Sequence, residues 1–147
     1  MKNYPEGGVY LLKIRLEKKE EIKIGALGKN IFASGYYFYA GTAQLNLEAR
    51  INRHYSSEKK FHRHIDYLLA EAELEKDFVF KLPGEGECFL AQILINLGGK
   101  TPVTGFGASD CSCESHLIYF PLKPGKNIVE DLIVDRDLTA EFSNFKE

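Results

Sequence analysis

The feature that most restricts the fold is a pair of extended, aromatic-rich segments that come before any helical period. Gly8 to Leu16 runs Gly-Val-Tyr-Leu-Leu-Lys-Ile-Arg-Leu, with Lys13 and Arg15 alternating against Leu12, Ile14 and Leu16 in the two-residue period of a strand. Tyr36 to Ala40 is a second strand, with Tyr37 and Tyr39 on one face and Tyr36 and Phe38 on the other. Shorter extended stretches at Glu21–Ile24 and Ile31–Ala33 lie between them, with a charged turn and the Gly25–Asn30 turn region as connections. The expectation is an N-terminal antiparallel sheet.

Helical periods follow. Asn46 is placed to cap a helix whose Leu47, Ile51 and Tyr55 recur at i, i+4 and i+8, with Arg50 and His54 projecting together from the adjacent face. A second helix is expected over His64–Glu73, burying Ile65, Leu68, Leu69 and Ala72. Phe78–Leu82 returns as a strand before the Pro83-Gly84 break. A third helix spans about Glu85 to Leu97, apolar on most sides and stopped by Gly98-Gly99, so it should be largely buried. Pro102–Glu114 reads as a glycine-containing loop and Leu117–Phe120 as a closing strand, while the sequence turns more polar beyond Pro121. The fold class is α/β (α+β), a small antiparallel sheet flanked by helices. We expect one domain over 1–147, with its core at about 8–120 and a C-terminal extension at 121–147.

A chain of 147 residues, 44% of them hydrophobic, can bury a core without disulfides or metal. Its N-terminus offers only the four-residue apolar stretch Val9–Leu12, too short for a signal peptide or a membrane span, so a cytoplasmic location without membrane association is expected. Three cysteines, two of them one residue apart at Cys111 and Cys113, fit a reducing compartment. The net charge of −2 argues against nonspecific coating of nucleic acid, but it conceals an asymmetry. Arg50 to His64 holds Arg50, Arg53, Lys59, Lys60 and Arg63 against Glu58 alone, a local +4 that leaves −6 for the rest of the chain. His54, His62 and His64 lie in the same stretch, which is either a solvated helix face or an anion-binding surface.

In order along the chain stand Gly8-Val9-Tyr10 opening the first strand, Tyr39-Ala40-Gly41 closing the sheet, Arg50 and His54 on the next helix, and Glu87 near the start of a later one. This ordered set resembles the GIY-YIG nucleases, in which two tyrosine-bearing strand motifs lie side by side, a following helix supplies arginine and often histidine, and a later helix supplies a metal-holding glutamate. Ala33-Ser34-Gly35-Tyr36-Tyr37, Phe61-His62-Arg63-His64-Ile65-Asp66-Tyr67 and Gly105-Phe106-Gly107-Ala108-Ser109-Asp110-Cys111-Ser112-Cys113 look like an uncharacterised GIY-YIG-related family. Members of that family occur alone or fused to an endonuclease III-type DNA glycosylase. The resemblance implies divalent-metal-dependent phosphodiester hydrolysis of nucleic acid, DNA before RNA, with a connection to DNA repair and a repair protein as partner. Two departures stand out: Gly41 to Arg50 is about one residue longer than the superfamily spacing, and Gln44 stands where some members carry lysine near the second motif.

Phosphodiester hydrolysis needs a base for the attacking water, positive charge on the phosphoryl oxygens and help for the leaving oxygen. The resemblance assigns the base to Tyr10 or Tyr39, either of which needs a nearby cation or metal to ionise at neutral pH. It gives the phosphate to the planar guanidinium of Arg50, Mg²⁺ or Mn²⁺ to Glu87, and a proton relay or phosphate contact to His54. Arg53, Lys59, Lys60, His62, Arg63 and His64 form the expected nucleic-acid face. Each also has a purely structural reading: strand tyrosines, solvated cations, and a Glu87 that complements its helix terminus beside Glu85. Cys88, Cys111, Cys113 and His116 have the chemistry of a Zn²⁺ site in an unusual spacing, with idle thiols as the alternative. His64 or Asp66 is expected in a hydrogen-bonded structural pair. The alternative to an enzyme is a noncatalytic nucleic-acid-binding module on the same fold.

Overall fold

The computed structural model describes residues 4–83, 86–107, 114–121 and 138–145. Its centre is a four-stranded, wholly antiparallel sheet in the order β5-β1-β4-β6, built from β1 (Gly8–Leu16), β4 (Gly35–Ala43), β5 (Glu73–Phe80) and β6 (Leu117–Phe120). The short strands β2 (Glu20–Lys23) and β3 (Lys29–Phe32) pair separately as a hairpin. Helices α1 (Leu47–Tyr55), α2 (His64–Leu69), α3 (Gly86–Asn96) and α4 (Leu138–Phe145) complete the described elements. The expected antiparallel sheet flanked by helices is the observed one.

The period of β1 and β4 sends their side chains into two cores. Tyr10, Leu12, Ile14, Tyr37 and Tyr39 pack with Leu47, Ile51, Ile65, Leu68 and the hairpin residues Ile22 and Phe32 on one face. Val9, Leu11, Phe38 and Ala40 pack on the other face with Phe89, Leu90, Ile93 and Leu94 of α3, against which α4 sets Phe142. Burying each such side chain contributes about 1.5–3 kcal/mol, so this double coverage stabilises the sheet far more than any polar contact on it.

Several boundaries differ from the sequence expectation, each for a tertiary reason. Strand β4 does not stop at Gly41 but runs to Ala43, because Gly8, Val9 and Tyr10 pair with Ala43, Thr42 and Gly41. Thr42 is therefore a strand residue rather than part of a loop. Helix α2 ends at Leu69 instead of reaching Glu73, because Glu73–Phe80 is taken up by the free edge of β1, with Glu75 bulged out at the Lys13/Ile14 step. Asn46 precedes α1 but makes no side-chain cap and sits in the left-handed region at φ 58°; the leading helical amide, Leu47 N–H, donates instead to the Glu6 carbonyl at 3.1 Å. The Gly98-Gly99 stop is a Schellman turn: Gly98 has φ 105°, its N–H donates to Ile95 O, and Gly99 N–H donates to Leu94 O.

Candidate active site at the open edge of β4

Strand β4 is paired with β1 along its whole length, but β6 accompanies it only from Tyr36 to Tyr39. One more bond, from Ala40 N–H to His116 O, follows, and beyond it no strand among the described residues pairs with that edge. Thr42, two residues on, points its carbonyl to the same side by the strand period, where it accepts from Arg50 Nη1 at 3.2 Å. A cleft of about 170 Å³ has formed at this edge, lined by Tyr39, Ala40, Gly41, Thr42, Arg63, Glu87, Gly107 and His116. Glu87, in the first turn of α3, accepts a hydrogen bond from Thr42 Oγ1. Thr42 thus touches Glu87 through its side chain and Arg50 through its backbone, so groups from opposite faces of the sheet meet at one residue.

Behind the cleft lies a buried aromatic layer. Tyr10 Oη is 2.8 Å from Nε2 of His54, and a Cβ at Gly41 would come within 2.5 Å of the Tyr10 hydroxyl and ring carbon Cζ, so only glycine leaves room for the phenol here. Burial raises the Tyr10 phenol above its ordinary range, against the lowering effect of the nearby Arg50 guanidinium. Burial raises Tyr39 as well, with the Tyr10 phenol adding to the effect. His54, only 2% exposed, is pushed down to about 3, chiefly by burial and then by the Lys59 ammonium. Its Nδ1 is buried without a hydrogen-bond partner among the described residues. Arg50 and His54 project together as expected: both act on the Tyr10 phenol, and Arg50 also reaches the Thr42 carbonyl at the strand edge.

The five residues assigned to catalysis from the sequence are all found around this one edge: Tyr39 and Glu87 in the cleft wall, Arg50 on the Thr42 carbonyl, Tyr10 and His54 one layer below. A model of a domain of unknown function, DUF123, matches residues 9–136. The chain belongs to the DUF123 family. No curated protein and no solved structure matches it. Every residue lining the cleft falls within the matched span of this DUF123 domain.

Ala40, Gly41, Thr42 and Gly107 are the cleft residues that sequence reading did not assign to the site. Thr42 was signalled only by its β-branched side chain just past Gly41, and Gly107 only by its place in a glycine-containing loop. Gly107 has φ 68° and lies where a Cβ would be 2.8 Å from the Tyr39 ring, while its N–H donates to His64 Nδ1 at 2.9 Å.

The basic face of the DUF123 domain divides into two groups. Arg53 is held by Asp66 in a two-pronged ion pair at 3.0 and 2.9 Å and also donates to Lys60 O at 2.7 Å. Lys59 Nζ donates to the Arg53 and His54 carbonyls at the end of α1, and burial lowers its pKa. These two cations are occupied within the fold. Lys60, His62 and Arg63 are exposed, and Arg63 reaches the cleft. Asp66 is in the expected kind of hydrogen-bonded structural pair, with Arg53 as its partner and the His62 and Arg63 amides as further donors, while His64 accepts from the Gly107 amide.

Of the zinc candidates, Cys88 Sγ and His116 Nε2 are 3.5 Å apart, and Cys111 and Cys113 lie outside the described residues. Among the described residues no cluster of three or more His, Cys, Asp or Glu side chains is placed to hold a metal, and no helix is long and apolar enough to cross a membrane.

Proposed function

We propose that this protein hydrolyses nucleic-acid phosphodiesters with the help of one divalent cation, as its resemblance to the GIY-YIG nucleases implies, and that it acts on DNA in repair. The observation that carries the reading is the convergence of Glu87, Tyr39 and the Arg63 guanidinium in one cleft, with Arg50 and the Tyr10–His54 pair directly behind it. A Glu87 turned away from both tyrosines would have spoken for a purely structural role.

The donor set fits a hard ion. Mg²⁺ and Mn²⁺ are commonly held by one or two carboxylates and completed by water and substrate oxygens, and Glu87 presents a carboxylate at an open, polar cleft beside the Thr42 hydroxyl. Such an ion, when bound, supplies positive charge to the phosphoryl oxygens and eases ionisation of a nearby group. The chain's own residues supply the rest. Arg63 faces the phosphate from the cleft wall, and Arg50 holds the Thr42 end of β4 while adding a second cation. Tyr39 presents its phenol at the cleft; burial keeps it protonated at neutral pH in the free protein, so it would take the proton of the attacking water only where a bound cation lowers its pKa. His54 fixes the Tyr10 hydroxyl in position. It stays neutral well below pH 7, so it orients rather than carries charge.

Incubation with branched, single-stranded and duplex DNA in Mg²⁺ or Mn²⁺ tests the reading. Glu87→Ala and Arg50→Ala should each lower strand cleavage by about 10²-fold or more. Cleavage insensitive to both would place the chemistry elsewhere. One observation favours a noncatalytic nucleic-acid-binding module: burial raises both phenols. Binding by wild type with no cleavage under any metal would establish that module.

A further inference from the structure

Between α1 and α2 the chain from Ser56 to Arg63 has no regular secondary structure, yet it is fastened at successive positions. The buried Asp66 carboxylate accepts the His62 and Arg63 amides at 2.9 and 3.0 Å as well as both prongs of Arg53. Arg53 in turn holds the Lys60 carbonyl, and Lys59 holds the end of α1. The Arg53 guanidinium and the amides of His62 and Arg63 hold the Asp66 carboxyl down at about 2 although burial acts to raise it, so the clamp is ionised throughout the physiological range.

What the clamped loop displays is unusual for a structural turn. Phe61 is 42% exposed, and its ring stands at 5.0 Å and 74° against Tyr67, which packs on the core beneath. Two residues on, Arg63 reaches the cleft wall with no hydrogen bond or ion pair to its guanidinium among the described residues. Lys60 and His62 are exposed between and beside them, with Glu58 the one acidic residue from Arg50 to His64.

We propose that Lys60–Arg63 is a nucleotide-recognition loop: Phe61 stacks on an unpaired base while Arg63 and Lys60 hold the phosphates that flank it, presenting the strand to the Glu87 cleft. This rests on the phosphodiester reading above and specifies its substrate as a strand with an unstacked nucleotide at the cleavage point. An exposed aromatic gains by stacking only on a base that is free of its own duplex neighbours, and every base offers such a face, so the loop selects for structure rather than sequence. The cations complement the backbone in a chain whose overall charge is −2, which confines attraction to this surface. Arg53 and Asp66 are positioning residues for the loop and touch no substrate.

Fluorescence anisotropy of the full chain in Ca²⁺, with a labelled single strand and a fully paired duplex of the same length, provides the test. Wild type should bind the single strand more tightly than the duplex. Phe61→Ala should weaken single-strand binding by on the order of tenfold and leave duplex binding unchanged. Phe61→Leu keeps an apolar contact with Tyr67 but lacks the aromatic face and should show the same loss; Phe61→Trp should restore binding, with thermal melts confirming that all three variants are folded. Equal losses on both probes, or none, overturn the proposal, even where Glu87-dependent cleavage upholds the nuclease. A Phe61-dependent preference for the single strand in a protein that cuts nothing upholds the loop and removes the nuclease. Binding of neither probe removes both.

Discussion

Among the described residues the His54 imidazole depends on the Tyr10 hydroxyl, while the Arg50 guanidinium also acts on that phenol. Nε2 of His54 meets Tyr10 at 2.8 Å and its Nδ1 has no partner among the described residues, so Tyr10→Phe would leave the ring buried with neither nitrogen bonded to them. We expect Tyr10→Phe to cost about 1–3 kcal/mol in urea unfolding and to lower any cleavage activity with it. Gly41 controls the same pair by its lack of a side chain. A methyl at 2.5 Å from the Tyr10 hydroxyl has to displace either the phenol or the strand, so Gly41→Ala should destabilise by about 1–3 kcal/mol. The tyrosine absorbance should also shift as the phenol leaves His54, and an unchanged spectrum would argue against the displacement.

At the level of elements, the junction of α1, the Ser56–Arg63 loop and α2 depends on one carboxylate. Asp66 accepts from Arg53, His62 and Arg63 at once, so Asp66→Ala leaves a guanidinium and two amides unpaired around a hole. With the Arg53 side chain 27% exposed, water relieves part of that penalty, and a loss of about 2–4 kcal/mol in the unfolding free energy measured in urea is expected. Amide hydrogen exchange should quicken over the Phe61–Leu68 segment first. The open stretch of β4 is a second element-level device. Because β6 ends opposite Tyr39, the next residues face Glu87, Arg50 and His116, with no further strand beside them among the described residues.

For the whole molecule, the buried imidazole sets the acid response. His54 has a folded-state pKa of about 3 against an ordinary 6.5, so the unfolded chain binds the proton that the native state refuses. Stability is therefore full above pH 6.5 and falls as pH drops from about 6.5 toward 3, with a slope near 1.4 kcal/mol per pH unit for this single group. Asp66, held at about 2 against 3.8, adds a second loss confined to the window from about 4 down to 2. Urea unfolding across pH 4 to 7 should show the His54 slope, and His54→Gln should flatten it. A wild-type profile already flat between pH 6 and pH 4.5 would contradict the buried neutral imidazole.

Local chemistry explains why much of this fold could be read in advance. A strand's two-residue period and a helix's apolar stripe are properties of consecutive residues, so β1, β6, α1 and the buried α3 with its glycine stop followed from the chain itself. Partners distant in the chain were not legible. Pairing with β1 carried β4 on to Ala43 and cut α2 short to supply β5, since a free strand edge gains more from hydrogen-bonded pairing than an isolated short helix gains from its stripe. Charge patterning marked Arg53, Lys59 and Arg63 alike as surface cations. Packing separated them, because the fold brought a carboxylate to Arg53, helix carbonyls to Lys59 and an open cleft to Arg63.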